Sequence, residues 1–171
     1  MNATDDKPSS CLRIVNIDDA QALCDIYNYY ITNTLITFEE EPLSIEAMET
    51  RIRTISSRFP WLVWEAAGEI LGYAYLNVWK ARTAYRFSVE DSIYLKPGYE
   101  GRGMGRELLR MLLEQVKRLD IHTVIAGITL PNARSVGLHE GFGFTKIAQF
   151  NEIGFKFNRW LDVGYYELIL P

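Results

Sequence analysis

The segment that most restricts how this chain can fold is Ile93-Tyr94-Leu95-Lys96-Pro97-Gly98-Tyr99-Glu100-Gly101-Arg102-Gly103-Met104-Gly105-Arg106. An apolar stretch of β character meets a Pro-Gly break and then glycines at alternate positions. A helix follows, with Leu108, Leu109, Leu112, Leu113 and Val116 spaced along one face. Glycines in such a turn let a ligand approach the backbone with no Cβ in the way, and the N–H groups at the helix start favour an anion. Arg102 and Arg106 add positive charge, so the predicted ligand carries phosphate. A Walker loop would need Lys followed by Ser or Thr after its last glycine, where this chain has Met104-Gly105-Arg106. A dinucleotide fingerprint spaces its glycines G-x-G-x-x-G, whereas Gly101, Gly103 and Gly105 run G-x-G-x-G. The bland alternative is a tight turn with no ligand.

The remaining pattern places this turn in one α/β domain. Leu12 to Val15 reads as a strand. Asp18 or Asp19 caps a helix with Ala22, Leu23, Ile26, Tyr27 and Tyr30 on its apolar face. Thr34 to Pro42 reads as an ordered loop, and Ser44 opens a second helix that runs to about Ser57. Trp61–Ala66, a Gly68-Glu69 turn and Ile70–Val78 form a hairpin. A polar linker, residues 80–83, precedes a long strand from Tyr85 to Leu95. Helices over Glu107–Leu119 and Asn132–Glu140 flank a nearly all-apolar strand, Thr123–Thr129. Final strands lie near Lys146–Ile153 and Tyr165–Leu170. The order β-α-α-β-β-β-α-β-α-β-β predicts helices around a mixed sheet, in a domain over residues 12–171 preceded by a disordered tail over residues 1–11.

Composition excludes several classes of function. Of 171 residues, 18 are Lys or Arg and 22 are Asp or Glu, a net charge of −4 with no basic stripe for nucleic acid. Cys11 and Cys24 make neither a disulfide framework nor a metal cluster, so no metal is expected. The start, MNATDDKPSS, lacks the apolar stretch of a secretory signal, and no window has the length of a membrane span. The expected setting is the cytoplasm, with no membrane partner.

At this point two blocks carry a resemblance. Glu100-Gly101-Arg102-Gly103-Met104-Gly105 resembles the Q/R-x-x-G-x-G/A pyrophosphate loop of the GNAT N-acetyltransferases, with Glu100 in place of the usual Gln or Arg. Asn132-Ala133-Arg134-Ser135-Val136-Gly137-Leu138-His139-Glu140-Gly141-Phe142-Gly143-Phe144 resembles the second signature of that superfamily. Ile26-Tyr27-Asn28, Thr37-Phe38-Glu39, Gly72-Tyr73-Ala74-Tyr75, Tyr85-Arg86, Val89-Glu90-Asp91-Ser92 and Lys156-Phe157-Asn158-Arg159-Trp160 fall in the order seen in phosphinothricin and methionine sulfoximine N-acetyltransferases. Asn158 stands where that family has a small residue, often Gly. The resemblance implies the GNAT fold, a mainly antiparallel twisted sheet flanked by helices. It also implies acetyl-CoA as co-substrate, a small-molecule amine as acceptor, and a homodimer with the pocket near the subunit interface.

The chemistry implied is direct acetyl transfer to the α-amine of glutamate-like compounds in a ternary complex. The amine must lose a proton, the reactants must be held together, and the oxyanion and leaving thiolate must be stabilised. Glu90, in an otherwise apolar strand, is the candidate base, directly or through a water; the alternative is an ion pair with Arg86 or another cation. His139 stands where many of the superfamily have a tyrosine proton donor, and it either moves a proton or packs at the helix–sheet contact. Ile93, Tyr94 and Leu95 are expected to bind the pantetheine arm by main-chain hydrogen bonds. Gly101, Arg102, Gly103, Met104, Gly105 and Arg106 hold the diphosphate. Asn132 and Ser135 hydrogen-bond the cofactor, cap their helix, or both. For the acceptor, Phe38 and Tyr85 wall the apolar part, and Arg82, Thr83, Arg86 and Lys156 supply polar and cationic contacts, with Arg159 close by. The competing readings are acetylation of a polyamine, an aminoglycoside or a protein N-terminus, and an acetyl-CoA-binding module without catalysis.

Overall fold

The computed structural model describes residues 10–171, and the expected tail lies almost entirely outside them. The order of elements is the expected one. Strand β1 (Ser10–Ile14) leads into α1 (Ala20–Asn33) and α2 (Ile45–Ser56). Next come β2 (Trp61–Ala66), β3 (Glu69–Val78), β4 (Ser88–Leu95) and α3 (Met104–Val116). The chain ends with β5 (Thr123–Leu130), α4 (Ala133–Glu140), β6 (Thr145–Lys156) and β7 (Arg159–Ile169). The seven strands form one sheet in the order β1-β2-β3-β4-β5-β7-β6, antiparallel except between β4 and β5. The expected mixed, mainly antiparallel α/β fold is the one observed.

Local chemistry explains most boundaries. Asn16 caps a 3-10 turn ahead of α1 through a reciprocal capping box with Asp19. The Ser44 hydroxyl accepts from the Ala47 N–H and starts α2. The β2–β3 and β6–β7 hairpins turn on residue pairs with positive φ, Ala67-Gly68 and Phe157-Asn158. Asparagine tolerates that left-handed region, which suits Asn158 to the turn.

Four expectations shift. β1 begins at Ser10, so Cys11 lies in the sheet and not in a tail. Thr83–Tyr85 is a 3-10 turn, and β4 starts only at Ser88. The aromatic, β-favouring run from Tyr85 suggested strand, but these residues are exposed on a connection and have no neighbour to pair with. Helix α3 starts at Met104, three residues early, because Gly103 ends the turn in the left-handed region. The last two strands are longer than expected and form one hairpin, since exposed apolar residues hide the usual alternation.

One feature of this sheet makes room for a site. β4 and β5 pair in parallel only over Ser88–Glu90 and Thr123–Ile125, although each strand has eight residues. Beyond Glu90 the two diverge, and the facing backbone groups of both strands lose their ladder partners. At the closed end Val89 and Val124 are fully buried in one core cluster with Leu108, Leu109 and Leu112 of α3.

Candidate active site

A cleft of about 560 Å³ occupies the fork. Its walls include Ile93, Tyr94 and Leu95 from the freed half of β4, and Ala126 to Thr129 from β5. Gly101, Gly103, Gly105 and Arg106 close one end, and Asn132, Ser135 and His139 line the α4 side. The structure therefore gathers the phosphate turn, the strand edge and the start of α4 around a single space. Tyr30 of α1 also lines it, donating its hydroxyl to the Leu95 carbonyl at 2.7 Å and so fixing the end of β4.

The turn has the properties of an anion seat. Gly98, Gly101 and Gly103 have φ of 85°, 75° and 85°, a region that side chains disfavour. Gly103 is the N-cap of α3 and has no side chain to take up the first-turn N–H groups. Arg106 lies over the Phe142 ring, 5.1 Å from its centroid. Arg134, one residue into α4, lines the same cleft and was not singled out by sequence. Arg102 and Met104 depart from expectation. Arg102 turns outward, donates to the Gly98 carbonyl at 3.0 Å and stacks over Tyr99, while Met104 is buried. These two shape the turn and do not line the cleft. Asn132 caps α4 by accepting from the Ser135 N–H at 3.1 Å, and both residues also line the cleft.

His139 is buried and fully engaged. Its Nδ1 lies 2.7 Å from the Ser135 carbonyl oxygen, and its Nε2 lies 2.9 Å from Asp91 Oδ2. A carbonyl can only accept, so Nδ1 carries a proton. Asp91 Oδ2 is placed to accept from Nε2 in the same way, an arrangement that favours the doubly protonated ring. Burial disfavours that charge, but the hydrogen bond and charge of Asp91, with the Ser135 carbonyl, outweigh it and raise the His139 pKa. With both ring nitrogens engaged as donors, His139 has no free lone pair to take a proton from an amine in this arrangement. Asp91 Oδ1 is buried with no hydrogen-bond partner. Asp91 was not identified from sequence; it lies 48 residues from His139, and only folding joins them.

Glu90 lies next to Asp91 on β4 and points to the opposite face of the sheet. Register places it opposite Asn77 on β3 and Ile125 on β5, the last pair before the fork. Burial first, then the negative charge of Asp91, push its pKa up to about 7, with Lys80 opposing. Glu90 has neither an ion pair nor a hydrogen bond among the described residues, so the expected alternative of a pair with Arg86 is not what forms. Arg86 instead stacks on Phe87, 4.1 Å from the ring centroid.

None of the acceptor candidates lines the cleft. Arg82, Thr83, Tyr85 and Arg86 all lie on the β3–β4 connection, at the Glu90 end of β4, and none lines the cleft. Phe38 packs against the backbone at Gly154 of β6. Lys156 requires a correction. It is 2% exposed, and its ammonium donates to the Thr37 carbonyl at 2.8 Å. Burial lowers its pKa, partly offset by Glu40 and Glu39. Its neighbour Glu39 holds Arg51 in a two-pronged pair at 2.8 Å and accepts from Tyr27 at 2.8 Å. Lys156 therefore anchors the ordered loop after α1 to β6 and presents no free charge to a substrate carboxylate.

The strand fork and the glycine turn feeding a helix with no side-chain cap form one cleft suited to an elongated, phosphate-bearing ligand. Residues 12–164 match the acetyltransferase (GNAT) domain family, and the chain belongs to that family. The chain is 35% identical to phosphinothricin N-acetyltransferase of Streptomyces viridochromogenes, over 91% of this chain and 85% of that protein. It is 34% identical to the L-methionine sulfoximine/L-methionine sulfone acetyltransferase of Salmonella typhimurium, over 93% and 94% of the two chains. A solved acetyltransferase from Salmonella typhimurium, with its cofactor acetyl-CoA, superposes with a TM-score of 0.93 at 32% identity, over 95% of each chain. Among the described residues no helix is long and apolar enough to cross a membrane, and no group of His, Cys, Asp and Glu could hold a metal ion.

Proposed function

We propose that this protein transfers the acetyl group of acetyl-CoA directly to the α-amine of a small glutamate-like amino acid, of the phosphinothricin or methionine sulfoximine kind named for its relatives. The observation that carries this reading is the placement of Glu90, with its pKa near 7, at the fork whose open side leads to the phosphate turn. Acetyl-CoA supplies an activated acyl group as a thioester. The first-turn N–H groups of α3 and the Arg106 and Arg134 side chains hold its phosphates. The free edge of Ile93–Leu95 holds the pantetheine arm by main-chain hydrogen bonds, and a main-chain N–H there meets the developing oxyanion. Glu90 takes the amine proton, the nitrogen lone pair bonds to the thioester carbon, the C–S bond breaks, and the departing CoA thiolate takes up a proton. The raised pKa of Glu90 lets it accept and release a proton near neutrality. His139 acts as a fixed positive charge beside the cleft, oriented by Asp91.

The expected result of a thiol-release assay is rapid turnover with phosphinothricin and methionine sulfoximine, and slow turnover with a polyamine, an aminoglycoside or a peptide N-terminus. Turnover with peptide or polyamine alone would overturn the acceptor class and leave the acetyl-CoA half standing. Tight acetyl-CoA binding with no turnover would favour the binding-module reading.

A homodimer belongs to the same proposal. Ile147, Phe150, Ile153, Phe155, Phe157 and Trp160 are all exposed on the β6–β7 hairpin, more large apolar surface than a lone subunit usually leaves in water. Sedimentation is expected to give twice the subunit mass, and Phe155→Lys with Trp160→Lys is expected to give monomers. A wild-type monomer at micromolar concentration would rule this out.

A further inference from the structure

We infer that Gly127 is a positioning residue for the transfer: its missing side chain is the opening through which the Glu90 carboxylate reaches the cleft. The inference rests on the reading of Glu90 as the base.

Gly127 sits in the interior of β5 in an otherwise apolar run, Thr123 to Leu130, yet it is exposed. A glycine inside a strand weakens it and commonly marks a close approach by another group. Here that group is Glu90. A Cβ built on Gly127 would come within 2.8 Å of Glu90 Oε1 and 3.3 Å of Tyr165 Cε1. The geometry follows from register. Glu90 pairs with Ile125, and Gly127 lies two residues further along β5 on the same face, just past the point where β4 departs. Tyr165 is the direct partner of Gly127 on β7. Glu90, Gly127 and Tyr165 therefore form a row across three strands, and the Trp79 and Phe150 rings meet Tyr165 edge-on.

Gly127 also lines the cleft from which Glu90 is absent. It is thus the one residue of this row shared by the two sides of the fork. On one side lies the space assigned to acetyl-CoA, and on the other the carboxylate that takes the amine proton. An alanine there has no room unless the carboxylate moves, because the Tyr165 ring closes the other direction. The end of a glutamate side chain can move without unfolding the sheet. The fold is therefore expected to survive while the base is displaced.

The test is a double-mutant cycle of Gly127→Ala and Glu90→Gln, assayed with acetyl-CoA and phosphinothricin. Gly127→Ala is expected to lower kcat by about tenfold to a hundredfold, as for misplacement of a reacting group by about 1 Å. CoA binding by calorimetry should change little, because the atoms nearest the new methyl group belong to Glu90 and Tyr165. The double variant should be no worse than Glu90→Gln alone. The acid limb of the pH profile should move in Gly127→Ala. Burial sets it first, then Asp91 on the same strand, with Lys80 from the β3–β4 connection opposing; Tyr75 from β3 and Tyr165 from β7 lie close enough to feel the Glu90 charge.

Losses that multiply in the double variant would overturn the inference, as would a Gly127→Ala protein with wild-type kcat and pH profile. Failure of Gly127→Ala to fold would assign the gap to sheet packing and overturn it equally. If Glu90→Gln itself keeps full activity, the reading of Glu90 fails first, and that outcome is visible in the single variant.

Discussion

Glu90→Gln is expected to lower kcat by about a hundredfold or more at pH 7, the usual range for loss of a general base. The KM for acetyl-CoA should hardly change, because Glu90 is not among the residues that line the cleft, where Ile93–Leu95 run. The wild-type rate should rise with pH through about 7, as Glu90 loses its proton. That limb should vanish in the variant. Alkaline buffer should restore part of the variant's rate, because free amine is then present without help. The same group leaves a mark on stability. Its folded pKa lies above its unfolded value of 4.5, so the folded state holds the proton more tightly, and stability falls as pH rises from 4.5 to about 7. Above that range Glu90→Gln should be the more heat-stable protein, by about 3 kcal/mol at most. Equal activity of the two proteins at pH 7 would remove Glu90 from the mechanism.

Asp91→Ala is expected to destabilise the protein by about 3 kcal/mol, the cost of leaving one member of a buried ion pair alone. The His139 side chain is 6% exposed and that of Asp91 1%, so water cannot replace the lost carboxylate. His139 has its pKa raised in the fold. The stabilisation from the pair is therefore fully present below the ordinary histidine value of 6.5 and fades as pH rises through the raised folded value. The gap between wild type and Asp91→Ala should accordingly be widest below pH 6.5 and narrow in alkali. Thermal melts across pH 5.5–9 measure this directly. A gap that does not vary with pH would mean that the ring is neutral and that the proton assignment is wrong. Asp91→Asn keeps the shape and offers a hydrogen bond without charge, so its loss should be smaller. Because the negative charge of Asp91 also raises the Glu90 pKa, Asp91→Asn should move the acid limb of activity to lower pH.

The two strand residues at positions 90 and 91 illustrate what a sequence can carry. Glu90 was legible because a carboxylate beside Val89 and ahead of the apolar Ile93–Leu95 run is conspicuous, and its block resembles a known family. Asp91 was not, because its significance lies in a histidine 48 residues away that α4 lays against it. Lys156 misled for the same reason. As a cation beside aromatic residues it suited a carboxylate ligand, but the fold buries it under the loop after α1 and gives it the Thr37 carbonyl.

The phosphate turn, the order of the elements and the helix caps were fixed by residues close in the chain. Glycine spacing, Ser44, Asn132 and the apolar stripe of α3 act over a few bonds, where conformational preference alone decides the outcome. The fork between β4 and β5, the direction in which each side chain points from it, and the meeting of Glu90 with Gly127 depend on strand register and on the packing of the core at the closed end. Such contacts join residues tens of positions apart, and no local pattern encodes the distance between them. The sequence alone determined which groups this protein has for acyl transfer; only the tertiary structure decided which of them face one another.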